Sequence, residues 1–108
     1  MAAEGQVISC HTVDSWEQQF RLAKESKKLV VVDFTASWCG PCRFIAPVLA
    51  DLAKKLPNLI VLKVDVDELK AMPTLIYLKG DNVIDRTVGA RKDEIEQKIV
   101  MYSAEVDA

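Results

Sequence analysis

The apolar positions along this chain repeat with two periods, near two and near four, and the switches between them mark its elements. Residues 7–12 open as a strand, and Asp14 with Glu17 three residues later has the form of a helix capping box. Trp16, Phe20 and Ala23 line the inner face of that helix. After Lys27 and Lys28 comes the run 29–34, Leu-Val-Val-Val-Asp-Phe, apolar on both alternating faces. Such a run suits a central strand covered by helices on each side. From 42 to 55 the period returns to that of a helix, with Ile45, Val48, Leu49 and Leu52 on one stripe and Leu56 just beyond. Lys54 and Lys55 suit the carboxyl-end dipole of this helix, and Pro47 predicts a kink inside it. Residues 59–66 read as a third strand, and 74–78 with 83–88 flank Lys79-Gly80-Asp81-Asn82 as a hairpin. Ile95, Ile99 and Tyr102 mark a closing helix. The pattern predicts an α/β fold, one sheet between helices, with 1–108 as a single domain and no repeat or linker.

Composition narrows the chemistry. A chain of 108 residues with a net charge of −2 and both signs scattered has no basic stripe for nucleic acid and no polybasic segment for a membrane. Residues 1–6 carry neither a charged leader nor an apolar core, and no stretch approaches membrane-spanning length. The expectation is a reducing, cytoplasmic compartment with protein or small-thiol partners. Of the three cysteines, Cys39 and Cys42 make a couple, which leaves Cys10 as a free thiol.

Trp38-Cys39-Gly40-Pro41-Cys42 stands directly behind the strand at 29–34, so a strand delivers a dithiol to a helix start. A thiol reacts as its thiolate, and a helix amino terminus, with unpaired N–H groups and a favourable dipole, stabilises that anion. Cys39 belongs at the mouth of the helix and Cys42 deeper, in its first turn. Gly40 permits a close turn and Pro41 suits the first helical position. Half of a zinc site is the alternative, with Cys10 and His11 as the only further ligands to offer. Asp33 interrupts an apolar strand six residues before Cys39, where burial would raise its pKa and make it a proton acceptor for Cys42. A structural aspartate paired with Lys63 is the bland reading. Pro73, in Met72-Pro73-Thr74, belongs at an edge or at the first position of a strand. Gly89 would let a substrate backbone approach, or simply turn the chain. Trp38 would shield the dithiol or touch a target, unless it is a core aromatic. His11 reads as a surface residue.

These residues, in this order, make the chain resemble the thioredoxin family, in particular the plant h-type thioredoxins. Residues 30–42 carry the most specific part, and Ala71-Met72-Pro73-Thr74 and Val88-Gly89-Ala90 follow in register. The resemblance implies a central mixed sheet with helices on both faces, a cis Pro73, and a peptide groove formed by Trp38, Met72, Pro73, Thr74, Val88, Gly89 and Ala90. It places Asp33 and Lys63 at a buried pair. It further implies a protein-disulfide reductase in which Cys39 attacks, Cys42 resolves and Asp33 takes the proton. No cofactor is bound, and the redox-active group is the Cys39–Cys42 disulfide. An NADPH-dependent, flavin-containing thioredoxin reductase would supply electrons, and disulfide-containing proteins would receive them. Cys10 matches an amino-terminal cysteine of some h-type members, with a regulatory role in mixed disulfides or dimers, or none as an inert buried thiol.

One departure stands out. The family has a helix between the third strand and the cis proline, whereas here Asp65-Val66-Asp67-Glu68-Leu69-Lys70 runs straight into Ala71-Met72-Pro73, and about nine residues are missing, the length of a short crossover helix. Topology permits this if the fourth strand is antiparallel. Stability argues for the segment, because uncovering apolar side chains costs about 1.5–3 kcal/mol each. Its loss predicts an exposed apolar face, low stability and a tendency of the expected monomer to dimerise. The rival function is a scaffold that keeps the surface but has lost turnover.

Overall fold

The structure is a computed structural model that describes residues 5–36, 38–65, 74–80 and 82–106. The two-faced apolar run becomes β2 (Leu29–Thr35), the central strand of a five-stranded sheet ordered β1-β3-β2-β4-β5. Around it stand β1 (Gln6–Cys10), α1 (Val13–Glu25), α2 (Gly40–Lys55), β3 (Leu59–Asp65), β4 (Thr74–Lys79), β5 (Asn82–Val88) and α3 (Lys92–Val106). β3 runs parallel to both β1 and β2, whereas β4 is antiparallel to β2 and β5 to β4, so the sheet is mixed. Among the described residues no helix is long and apolar enough to cross a membrane.

Alternation along β2 decides which helix meets which side chain. Leu29 and Val31, with Leu59, Val61, Leu75 and Tyr77, pack against Ile45, Leu49 and Leu52 of α2 and Ile95 and Ile99 of α3. Val30 and Val32, with Ile60, Leu62 and Leu78, pack on the opposite face with Ala23, Trp16 and Phe20 of α1. The side chains expected to line each helix do so, and helices cover both faces. α1 is capped differently from the expectation. Thr12, not Asp14, is the N-cap, its hydroxyl accepting from the Ser15 N–H at 3.0 Å. Asp14 sits in the first turn instead, where its charge complements the dipole without capping.

β3 ends with Asp65 beside Thr35, and β4 begins with Thr74 beside Phe34, so the two strands flank β2 at the same end. Crossing from one to the other passes a single strand, a span of about 10 Å. The shortened connection therefore asks for no crossover helix. On the α1 face Phe34, Val64 and Ile76 are only partly buried. The apolar face expected to be exposed by the shortening is partly buried, with the stacked rings of Trp16 and Phe20, 4.9 Å apart, packed against the same cluster. β4 and β5 join through the predicted hairpin, Lys79 opposite Asn82, with Gly80 at φ +58°. That left-handed conformation is what a two-residue hairpin turn requires. The register slips between Tyr77 and Leu78, which face Asp85 and Val83.

Gly5 leads into β1 at a close backbone approach to the end of α2. Its N–H donates to the Ala53 carbonyl at 2.6 Å, and a Cβ there would run into the carbonyl oxygens of Leu56 and Leu59. Gly5→Ala is expected to lower stability by about 1–3 kcal/mol, since the obstructing atoms are backbone and cannot rotate away. Urea unfolding at constant m-value checks this. A Gly5→Ala chain as stable as the parent would show that β1 moves off the sheet edge freely.

Candidate functional site

β2 carries the chain to one end of the sheet, and one turn later it becomes a helix. The Cys39 N–H donates to the Ala36 carbonyl at 3.1 Å, which closes the turn and brings Cys39 to the N-cap of α2 with extended φ, ψ of −91° and 105°. The Cys39 Sγ accepts the Cys42 N–H at 3.1 Å. A sulfur thus fills the place of the usual capping oxygen and answers one of the orphan donors of the first turn. The helix begins at Gly40, two residues before the periodicity signals it, so Pro41 falls second in the first turn rather than first. It costs nothing there, because its missing N–H is among those left unpaired at a helix start.

Cys39 and Cys42 are joined in a disulfide with Cα atoms 5.3 Å apart. Both are buried, Cys39 to 3% and Cys42 to 6% exposure, in a small apolar cluster with Ala36. Cys39 at the N-cap and Cys42 inside the first turn stand as the spacing predicts, and the bonded sulfurs share one buried environment. Gly40 corrects an expectation. Nothing lies within 4 Å of a Cβ placed on it, so the turn itself does not demand glycine. Trp38 is 59% exposed and is no core aromatic.

Asp33 shares the β2 parity of Leu29 and Val31, and so points to the face that α2 covers. It is 3% exposed, and its Oδ1 has no hydrogen-bond partner among the described residues. Burial pushes its carboxyl up to about 6, and the attraction of the Lys63 ammonium only partly offsets this. Lys63 is its Cα partner on β3, so the expected neighbours do meet across the strand pair.

The groove residues that are described gather at the same end. Thr74 pairs with Val88 beside the exit of β2, and Val88 is 44% exposed. Gly89 has φ +96°, a conformation that side chains disfavour, and its carbonyl accepts the Arg91 N–H at 2.9 Å. The turn reading of Gly89 is therefore sufficient to explain it, and open space above it leaves room for a backbone as well. Ala71, Met72 and Pro73, with the expected cis bond, lie outside the described residues. Cys10 ends β1 at 2% exposure, its thiol raised by burial against a smaller opposing effect of the Ser15 hydrogen bond. That placement fits the inert-thiol alternative, and a dimer through Cys10 would require this end of β1 to open. His11 is exposed, 3.1 Å from Asp65. Among the described residues no three His, Cys, Asp or Glu side chains gather as metal ligands.

The periodicity did not announce a polar layer between β5 and α3. Thr87, Asp85, Glu94, Lys98, Tyr77 and Tyr102 are hydrogen-bonded to one another there. Its signal was present in the sequence, in a polar Thr87 at an inward strand position and a Glu94–Lys98 pair four residues apart on the helix.

Comparison with known proteins agrees with this geometry. The family model described as Thioredoxin matches residues 7–101. Thioredoxin H1 of Arabidopsis thaliana is 60% identical, over 94% of this chain and 96% of its own length. Thioredoxin H-type 1 of Nicotiana tabacum is 58% identical, over 94% and 87%. The crystal structure of thioredoxin NaTrxh from Nicotiana alata superposes with a TM-score of 0.82 at 38% identity, covering 95% of this chain and 97% of that one. A poplar thioredoxin h, PtTrxh4, gives 0.83 at 36%, covering 91% and 96%. The alignment with the Arabidopsis protein is 110 positions long yet uses only 94% of a 108-residue chain, so several positions of the relative have no counterpart here.

The buried carboxyl carries a signature in stability. Its pKa in the fold, about 6, exceeds the ordinary 3.8, so the folded state holds the proton more tightly than the unfolded chain does. Stability then falls as pH rises from about 4 to about 6 and stays reduced above, by up to about 3 kcal/mol for a two-unit shift. Asp33→Asn is expected to be more stable than the parent at pH 8 and to lose that advantage below pH 4. Urea unfolding of both proteins across this range checks it, and a difference independent of pH would refute the assignment.

Proposed function

This chain belongs to the thioredoxin family and is a thiol–disulfide oxidoreductase that reduces protein disulfides through Cys39 and Cys42, and we propose that Cys39 is its attacking thiolate. The observation that carries the assignment is the hydrogen bond from the Cys42 N–H to the Cys39 Sγ at the head of α2. In the dithiol state the same donor and the helix dipole favour negative charge on that sulfur and lower its pKa.

The Cys39 thiolate attacks one sulfur of a target disulfide. The target S–S bond breaks, a Cys39–target mixed disulfide forms, and the second target sulfur leaves as a thiolate that takes up a proton. Cys42 then loses its proton to the Asp33 carboxylate, which a pKa of about 6 leaves ionised yet basic enough to accept it at neutral pH. The Cys42 thiolate attacks the Cys39 sulfur, the internal disulfide closes, and the target leaves as a dithiol. Two electrons have passed from the cysteine pair to the target. Lys63 keeps the Asp33 carboxyl from rising further, so that it ionises in the working range.

During the mixed-disulfide stage the target lies along Trp38, Thr74, Val88, Gly89 and Ala90, with Met72 and Pro73 completing the groove. Support for this comes from the exposure of Trp38 and Val88 and the gathering of the described members at one sheet end. Electrons return from an NADPH-dependent thioredoxin reductase, and no bound cofactor is needed. The kinship with h-type relatives supports a plant cytoplasmic protein that carries electrons to many targets and maintains thiol balance. The chain works as one domain and as a monomer. Nothing in the site geometry favours the scaffold alternative.

The test is NADPH oxidation in the presence of a thioredoxin reductase, with insulin as the disulfide substrate. Cys39→Ser is expected to abolish turnover, and Cys42→Ser to accumulate a covalent adduct with the target, visible as an added mass that dithiothreitol removes. A folded parent chain that binds the target yet consumes no NADPH would overturn the reductase mechanism and establish the scaffold.

A further inference from the structure

The loop between β5 and α3 has its two ends tied by side chains. The Thr87 hydroxyl donates to Glu94 Oε2 at 2.9 Å, which joins the penultimate residue of β5 to the first turn of α3. Val88, Gly89 and Ala90 lie inside the loop so closed. Lys98, one helical turn beyond Glu94, binds both ends at once. Its three N–H groups face four acceptors, the Arg86 carbonyl at 2.8 Å, Glu94 Oε2 at 3.1 Å, Asp85 Oδ1 at 3.2 Å and Thr87 Oγ1 at 3.3 Å, so one N–H is shared between two of them. Because Thr87 spends its only proton on Glu94, the buried Tyr77 hydroxyl, 2.9 Å away, is the donor in their pair. The hydroxyl thus gives one hydrogen bond and accepts two, and has none left to form.

This cluster holds charge as well as direction. Asp85 and Glu94 are both kept ionised, Asp85 mainly by the Tyr102 hydroxyl and Glu94 mainly by the Thr87 hydroxyl, with Lys98 contributing to each. Lys98 keeps its proton although burial opposes it, because these two carboxylates face it. Without the ammonium, two carboxylates would be left facing one another across the joint. Apart from this cluster, Val88 pairs with Thr74 and Ala90 packs against the core, while Gly89 stands between them with open space above it. Within the loop the Gly89 carbonyl accepts the Arg91 N–H, and Gly89 itself is the residue whose backbone resists change least.

We propose that Lys98 is a positioning residue for target binding: by tying Thr87 to Glu94 it fixes the backbone of residues 88–90 against which a substrate protein lies. The inference rests on the groove reading given above. A groove wall held in its bound form lowers the ordering cost of binding an extended peptide, and a small disulfide that meets only the sulfurs gains nothing from it.

The experiment uses the full chain with thioredoxin reductase and NADPH, and compares insulin with 5,5′-dithiobis(2-nitrobenzoic acid), a small aromatic disulfide. Lys98→Met is expected to raise KM for insulin about fivefold, the size expected for the loss of one ordinary hydrogen bond, with kcat held and KM for the small disulfide unmoved. Amide exchange at Gly89 and Ala90 should quicken, and Lys98→Arg should restore both readings. Val88→Glu serves as the independent probe of the groove. If Val88→Glu raises KM for insulin while folded Lys98→Met does not, the role of Lys98 is refuted and the groove stands. If neither variant moves KM, the groove reading falls and the inference with it. Equal losses on both disulfides in Lys98→Met would mark the residue as structural only and overturn the proposal.

Discussion

A helix start needs acceptors for its first N–H groups, and in α2 a sulfur meets that need. Thiol and disulfide sulfurs accept weakly, and a thiolate accepts well, so the cap of this helix is strongest when Cys39 is ionised. Reactivity and local structure therefore favour the same charge state. The turn from Ala36 to Cys39 exists to place that sulfur, and α2 holds its place because Ile45, Leu49 and Leu52 are locked into the core beneath it.

Strand parity sets the second condition. Asp33 faces α2 because Leu29 and Val31 do, and no rotation of its side chain would bring it to water on that face. A carboxyl held there without a full set of partners is destabilising, and that cost is what raises its pKa. The sheet accommodates it because the surrounding strands are almost wholly apolar and well packed. Lys63, on the neighbouring strand, moderates the cost without cancelling it.

Most of this was legible in the sequence because it follows from period and spacing. The doubly apolar strand, the helical stripe from Ile45 to Leu52, the hairpin around Gly80 and the dithiol at a helix start all depend on residues close together in the chain. The departures have local competitors or distant partners. Asp14 has the right spacing for a cap, but Thr12 offers its hydroxyl to an N–H of the first turn and wins. Pro41 fits either of two early helical positions, and the sulfur of Cys39 decides between them. The polar layer around Lys98 joins three elements, and a one-dimensional pattern shows its members only as separate polar residues on otherwise apolar elements.

The entry of β4 beside the end of β3 has a consequence for how chains of this kind change length. Asp65 and Thr74 stand on either side of one strand, at one end of the sheet, whatever joins them. Lengthening such a connection costs only about 0.6 kcal/mol for each doubling, since the ends to be closed are already near. The junction is thus a natural point of insertion, able to accept a helix, a binding loop or a reporter segment without shifting any strand register. A parallel fourth strand would have forbidden this, because its start would lie at the far end of the sheet and the chain would need a full crossover to reach it.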